Sequence, residues 1–337
     1  MKRMISFTVL LAAFLLFAFF NTGKTTQSSQ ADSKTQKIYK IGILQLMTHP
    51  ALDQIHAGVL AGLKQEGFVS GRNLKIDYEN AQGDQSNLQT MSSKFANEKD
   101  DMTIGIATPA AQALAKAANG QTPVILAGIT DPVGGGLIKS NARPGANITG
   151  TSGESPLKSQ LDLIKQILPK AKTLGIVYTT SDHGGSYNAK KMAAIAKAAG
   201  YQVKLYTIST TNDMQTIAEK MVSQVQAVYA PQDNGVASAM KTLVNVANQS
   251  KVAVFPAVDT MVQAGGLATL SVNQFTLGKE SGIIAGRVLK GEKTSTYPLT
   301  FVTRGQMAIN TSEAKILGIT LPNSVVKQAQ TKGEIYK

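Results

Sequence analysis

Short β-branched runs alternate with stretches of helical apolar spacing along most of the chain. Residues 38–46, 74–78, 102–107, 124–129 and 148–150 have strand character. Between them, 50–65 and 87–97 carry apolar side chains on one helical face. In 50–65 that face is Leu52, Ile55, Val59, Leu60 and Leu63, and Pro50 stands where a helix can start. After Gly150 the pattern restarts. Helices are predicted over 156–168, 187–199, 213–224 and 235–248, and strands over 174–178, 203–208, 227–230 and 252–255. A further helix spans 274–289 and ends at Gly291. Irregular sequence, a short strand near 307–309 and a helical tail follow. This alternation predicts an α/β protein with parallel sheets covered by helices on both faces.

The two runs resemble imperfect copies. Gly42 lies in the opening strand of the first, and Gly67-Phe68 closes its first helix. Gly175 and Gly200-Tyr201 do the same in the second, 25 residues apart in each case (42 to 67, 175 to 200). A Lys-bearing strand comes next in both, Leu74-Lys75-Ile76 and Val203-Lys204-Leu205. The order of elements also agrees, which predicts two lobes of duplicated design.

The N-terminus stands apart from this pattern. Lys2 and Arg3 precede an apolar run over 5–20, and a polar tether continues to about Lys37. A charged start, a short apolar core and a polar spacer read as a secretory leader or an N-terminal anchor. No Ala-x-Ala site closely follows the run, and the run is short against the roughly 20 residues of a spanning helix. Both an uncleaved anchor and a cleaved signal remain open. Either one places the rest of the chain outside the cytoplasm, away from ATP-dependent enzymes and ordinary DNA-binding proteins.

Composition narrows the classes further. Without leader and tether about 300 residues remain, enough for two domains of about 150. There is no cysteine, so lipidation through an N-terminal cysteine, disulfides, thiolate metal sites and thiol catalysis are all excluded. The net charge of +13 comes mostly from lysines spread singly over polar faces, such as Lys158, Lys165, Lys170, Lys190 and Lys191. With no dense basic run and no tryptophan, this is a diffusely basic surface rather than a nucleic-acid footprint.

In open parallel sheets ligands bind beyond the carboxyl ends of the strands. Those ends here are Met47-Thr48-His49-Pro50, Ala107-Thr108-Pro109-Ala110-Ala111 and Thr130-Asp131-Pro132-Val133. Hydroxyl residues before proline-started helices bring free N–H groups and partial positive charge to one edge, which suits a carboxylate. Threonine and aspartate also cap helices routinely, so each position has a purely structural alternative. In the second run, Gln232-Asp233-Asn234 and Ala257-Val258-Asp259 put acidic groups at strand ends. An anion-favouring lobe facing an acid-bearing lobe matches a zwitterion. Asp233 has the alternative of capping the helix that follows it, and Asp259 that of a turn residue. Enzyme signatures are scarce. His49, His56 and His183 have no metal-binding spacing, and neither a nucleophile elbow nor a phosphate loop is present.

The same blocks carry a family resemblance. Thr48-His49-Pro50-Ala51-Leu52-Asp53, Asn80 through Ser86, Ile106 through Gln112, and Thr130-Asp131-Pro132-Val133 resemble the substrate-binding proteins of bacterial ATP-powered uptake transporters. Within these they are similar to the tryptophan/aromatic amino-acid-binding subfamily. Asn147-Ile148-Thr149-Gly150, Pro231-x-Asp233-Asn234 and Gly265-Gly266-Leu267-Ala268 extend the match over about 38–322. The resemblance implies a type I periplasmic-binding-protein fold, two doubly wound parallel-sheet lobes joined by a three-segment hinge. It implies carboxylate contacts at Thr108, Ala110 and Thr130 and an ammonium partner at Asp233. The loop 179–186, with its inserted glycines, departs from the family pattern, and it and 256–259 are expected to line the side-chain pocket.

The full set of expected ligand-binding residues is Thr48, His49, Thr108, Ala110, Ala111, Thr130, Asp131, Ser186, Asp233, Asn234 and Asp259. Expected domains are 1–37 as leader and tether, 38–148 with 273–298 as first lobe, and 149–272 with 299–337 as second. The hinge is expected near 147–150 and 270–274. The function implied is extracellular capture of an aromatic L-amino acid, tryptophan first, then phenylalanine or tyrosine. Delivery is to an ABC permease with its cytoplasmic ATPase, at the membrane surface of a Gram-positive cell, as a monomer. No cofactor, metal, catalysis or nucleic acid is expected. Two other readings are an exported ligand sensor of the same fold for another small polar metabolite, and an exported hydrolase. A regulator of this fold needs a DNA-binding helix pair where this chain has its leader. A hydrolase needs an activated nucleophile beside a base.

Overall fold

The computed structural model describes residues 37–303 and 305–337. The first part of the chain runs β1 (Tyr39–Gln45), α1 (Pro50–Gln65), β2 (Leu74–Asn80), α2 (Gln85–Asn97), β3 (Met102–Ile106), α3 (Thr108–Ala118), β4 (Val124–Ile129) and β5 (Ile148–Ser152). The second runs α4 (Leu157–Ile167), β6 (Thr173–Thr179), α5 (His183–Ala198), β7 (Gln202–Ile208), α6 (Met214–Val222) and β8 (Ala227–Ala230). It continues through α7 (Asn234–Ser238), α8 (Met240–Gln249), β9 (Ala253–Pro256), α9 (Asp259–Gln263) and β10 (Ala268–Val272). The last part is α10 (Gln274–Leu289), β11 (Thr300–Phe301), β12 (Gly305–Asn310), α11 (Thr311–Leu317), α12 (Asn323–Lys332) and β13 (Gly333–Tyr336).

Three sheets organise these elements. The first has the order β11-β5-β4-β3-β1-β2, with every pair parallel. The second is β7-β6-β8-β9, also all parallel. The third, β10-β12-β13, extends the second lobe, with Leu267 donating to the Val254 carbonyl at 2.8 Å. Both large sheets place their first strand between the second and third, so each has a topological switch point beside its opening strand. The copies seen in the sequence thus share a strand order. Gly42 leaves room for Phe95 of α2, and Gly175 leaves room for Met221 of α6. Each glycine lets the helix across the sheet settle onto the opening strand.

Two apolar cores result, one in each lobe. On the first sheet, α1 and α10 cover one face, and α2 and α3 the other. The α1/α10 crossing is unusually close. A Cβ at Gly58, Gly62, Gly278 or Gly282 would run into the backbone of the opposite helix.

The pairing corrects the expected lobe boundaries. The first sheet continues through Ser152, which pairs with Ile129 and with Phe301, so the break lies after Ser152 and not at 148. Residues Thr300–Phe301 likewise belong to the first sheet. Three crossings therefore join the lobes, between Ser152 and Leu157, between Val272 and Gln274, and between Phe301 and Gly305. The end of the chain also differs from expectation. The helical tail gives way to β13, which pairs with β12 from Met307↔Gly333 to Asn310↔Tyr336. The helix expected over 235–248 is broken at Ala239 into α7 and α8. Among the described residues no helix is long and apolar enough to cross a membrane. The leader over 5–20 lies outside the described residues.

Candidate functional site

The carboxyl ends of both large sheets face one another across a cleft. Among the described residues, three side-chain polar contacts join the lobes there. His49 Nε2 lies 3.1 Å from Asn234 Oδ1, His183 Nε2 lies 3.3 Å from Asp131 Oδ2, and the Ser238 hydroxyl donates to Met47 Sδ at 3.3 Å. Asp182 and Asn234 stand between two cavities. The inner one, on the hinge side, is about 30 Å³, room for one or two waters. The outer one, toward β2 and β7, is about 740 Å³.

The walls of the inner cavity come from the switch points. Leu52 and Ile55 of α1 and Val258 and Met261 at α9 give it an apolar side. His49, Thr108, Thr130, Asp182 and Gln232 give it a polar side. The start of α3 contributes the N-terminal end of a helix, where backbone N–H groups lack intrahelical partners and the dipole favours an anion. Ala107, the residue before it, has φ +76° and ψ 156°. A side chain in that region costs of order 1–3 kcal/mol, and such strain tends to be held at ligand sites.

Of the eleven residues expected from sequence, His49, Thr108, Thr130, Asp233 and Asn234 line the inner cavity. Asp131 instead bridges the lobes through His183 and accepts from Gly134 N at 2.9 Å. Thr48 is exposed and accepts from Asn80 Nδ2 at 3.0 Å, beyond the cavity wall. Ala110 and Ala111 are fully buried in the first core. Ala111 packs against Gly105 on the sheet side of α3. Ser186 lies one turn into α5, its N–H bonded to the Asp182 carbonyl, and does not reach either cavity lining.

Asp233 needs the largest revision. It is 2% exposed, and its carboxylate accepts from Thr179 N at 2.7 Å, Thr179 Oγ1 at 2.6 Å and Val236 N at 2.9 Å. Burial raises its pKa, with the nearby Asp182 carboxylate adding to the effect. The side chain caps α7 and ties it to the end of β6, so its oxygens are already committed to protein donors. Of the two roles open in the sequence, the structure favours the cap over the ammonium contact.

Asp259 is also turned away. Its Oδ1 accepts from Thr260 N at 2.9 Å, and Glu334 of β13 is the acidic group beside it. Burial pushes its pKa up to about 6. Between about pH 4 and pH 6 the folded chain therefore holds a proton that the unfolded chain releases. Stability attributable to this group is highest at low pH and falls as pH rises, by about 3 kcal/mol in all. Asp259→Asn keeps the acceptor and removes the titration. Its melting temperature is expected to exceed that of the parent at pH 7 and to converge on it at pH 4. A constant difference across that range would exclude the group as the cause.

Asp182 lines both cavities and was not among the expected residues, although it stood inside the loop 179–186. It is 6% exposed and accepts from Gly185 N at 2.9 Å, Asn234 N at 3.0 Å and Asn234 Nδ2 at 2.5 Å. The signal was available: aspartate before His183-Gly184-Gly185 is a helix cap, and its strand ends at the switch point. Gly184 explains the inserted glycines. A Cβ there would stand 3.0 Å from Thr130 Oγ1, across the lobe boundary. Gln232 and Gln274 also line the cavity without having been singled out.

Two parallel-sheet lobes with three crossings and a cleft at both switch points define a type I periplasmic-binding-protein fold. The sequence model for the ABC transporter substrate binding protein family matches residues 40–332, and the chain belongs to that family. It is 35% identical over 293 residues to the tyrosine-binding protein of Clostridioides difficile (strain R20291), covering 87% of this chain and 84% of that protein. Its fold is similar to the ABC domain from Streptococcus pneumonia in complex with L-Trp, with a TM-score of 0.85 and 38% identity. That match covers 89% of this chain and 100% of the other. It is also similar to the ligand-free, open structure of a substrate binding protein with adhesive properties from Clostridium difficile. There the TM-score is 0.69 at 34% identity, over 89% and 99% of the two chains.

Proposed function

We propose that this protein captures an aromatic L-amino acid between its lobes, outside the cytoplasm, and hands it to an ABC permease. The observation that carries this reading is the composition of the inner cavity. Leu52, Ile55, Val258 and Met261 offer an apolar surface opposite His49, Thr108, Thr130 and the start of α3. That combination suits a zwitterion with a large apolar side chain. The ligands named for the similar proteins, tyrosine and L-Trp, support the same class. The cavity's small volume implies that the lobes part to admit an amino acid, and the three crossings are where they would turn. At nearly equal identity, the match to the L-Trp complex is much better than the match to the open, ligand-free structure. A ligand touching both lobes favours the closed arrangement by the contacts it gains there. We assign the leader over 5–20 to placing the monomer at the outer face of the membrane. N-terminal sequencing of the surface protein distinguishes an anchor from a cleaved signal.

Calorimetry on protein stripped by denaturation and refolding is the test. At least one of tryptophan, phenylalanine and tyrosine is expected to bind. Its carboxamide is expected to bind about 2–4 kcal/mol more weakly, because buried donors lose a charged acceptor. Binding of branched-chain or basic amino acids with none of the aromatic three would sink the reading.

A further inference from the structure

A bound amino acid needs an acceptor for its ammonium group, and both carboxylates lining the inner cavity already accept three hydrogen bonds each from protein donors. Asp233 accepts three hydrogen bonds from Thr179 and Val236, and Asp182 accepts three from Gly185 and Asn234. Several buried side-chain polar atoms of the described residues have no partner, and one of them, His49 Nδ1, is on a residue lining this cavity. His49 is 6% exposed.

The hydrogen-bond chain behind the ring fixes its tautomer. Asp182 Oδ2 receives both Asn234 N and Asn234 Nδ2, so it acts only as an acceptor. The Asn234 amide therefore presents Nδ2 to Asp182 and Oδ1 to His49. An amide oxygen only accepts, so His49 Nε2 carries the proton and donates across the lobe boundary at 3.1 Å. Nδ1 is then left with a lone pair. Burial lowers the pKa of this ring, which keeps the lone pair available at neutral pH.

We infer that His49 Nδ1 is the acceptor for the ligand ammonium, and that the Asp182–Asn234 pair positions it by fixing the ring's tautomer and tying it across the cleft. This rests on the amino-acid reading proposed above. It makes His49 the residue that distinguishes an amino acid from the corresponding desamino acid. One imidazole thereby reports on lobe closure through one nitrogen and on the ligand through the other.

Two substitutions separate the two nitrogens. His49→Gln places its amide near Nε2, keeping a partner for Asn234 and losing the acceptor near Nδ1. His49→Asn keeps an acceptor near Nδ1 and loses the contact with Asn234. For each protein, calorimetry gives the affinity ratio between the aromatic amino acid that binds most tightly and its desamino acid, such as phenylalanine against 3-phenylpropionate. The ratio is internal to each protein, so a loss of active fraction cancels. We expect a ratio of at least a hundredfold in the parent, below tenfold in His49→Gln, and largely retained in His49→Asn despite weaker binding of both ligands. In the parent itself, the ¹⁵N resonance of His49 Nδ1 should move upfield with the amino acid and not with the desamino acid. An unchanged ratio in His49→Gln, equal ratios in the two variants, or an unmoved resonance would overturn the inference and leave the amino-acid reading standing. Failure of the parent to bind any of the three aromatic amino acids would overturn both.

Discussion

Asp233→Ala is expected to lower folding stability by about 3 kcal/mol or more, read as a drop in the urea midpoint with no ligand present. The side chain lies in the interior with three protein donors on its carboxylate. Removing it orphans Thr179 N, Thr179 Oγ1 and Val236 N, and a buried donor without a partner costs about 1–3 kcal/mol. Water entering the space left behind offsets part of this. Loss of the cap adds roughly 0.5–2 kcal/mol. Affinity should fall as well, because α7 carries Asn234 and with it the contact to His49. The order of the effects is what decides. An unchanged midpoint together with a hundredfold loss of affinity would restore Asp233 as the ammonium partner.

The α1/α10 seam should be almost as sensitive. In Gly278→Ala the new Cβ would collide with the Ile55 carbonyl oxygen and lie 2.7 Å from the Ile55 carbonyl carbon. Both atoms belong to backbone, so no side chain can swing away. Alanine gains roughly 1 kcal/mol over glycine in a helix. Forced overpacking costs typically 1–3 kcal/mol and sometimes more, and here it has to push two helices apart. The expected result is a net loss of about 2 kcal/mol in urea unfolding. The corresponding change at Gly58 should behave alike, since its Cβ would lie 2.7 Å from Lys279 N. A variant within 0.5 kcal/mol of the parent would mean that the helices slide apart easily, contrary to the packing described.

The sequence carried most of the architecture because local pattern and tertiary burial agree in the long elements. Leu52, Ile55, Val59 and Leu63 share one face of α1, and all four are buried, while Leu60 is 37% exposed. Leu60 falls at the edge of the apolar stripe, where periodicity alone does not separate core from rim. β13 was not legible, since Gly333–Tyr336 has no strand alternation and owes its conformation to pairing with β12. The division at Ala239 was hidden because the apolar spacing runs through it. At the cleft, sequence named strand ends that the fold brings together but not the direction of each side chain. A cap and a ligand contact look identical at Asp233 until Thr179, which lies in another strand, is seen to supply two of its three donors. The same holds for Asp259, whose neighbour Glu334 is near the chain end. His49 was chosen for its place at a strand end, and only the partners of Asn234 say which of its nitrogens is free.

The glycine seam also sets an order of assembly. The strands of the first sheet are complete, apart from β11, once Ser152 has appeared, but one of their faces is covered by α10. That helix ends at Leu289, after the whole of the β7-β6-β8-β9 sheet has been made. A chain threaded N-terminus first therefore leaves the α1 face of that sheet half covered for more than 100 residues of its emergence, and the second lobe waits as well, since its core takes in Met307, Ile309, Val325 and Ala329. Both lobes are completed by segments made after the second sheet: the first by α10 and β11, the second by β12, α12 and β13. Until α10 docks, α1 and the sheet beneath it are the surface that a chaperone on the far side of the membrane would need to shield.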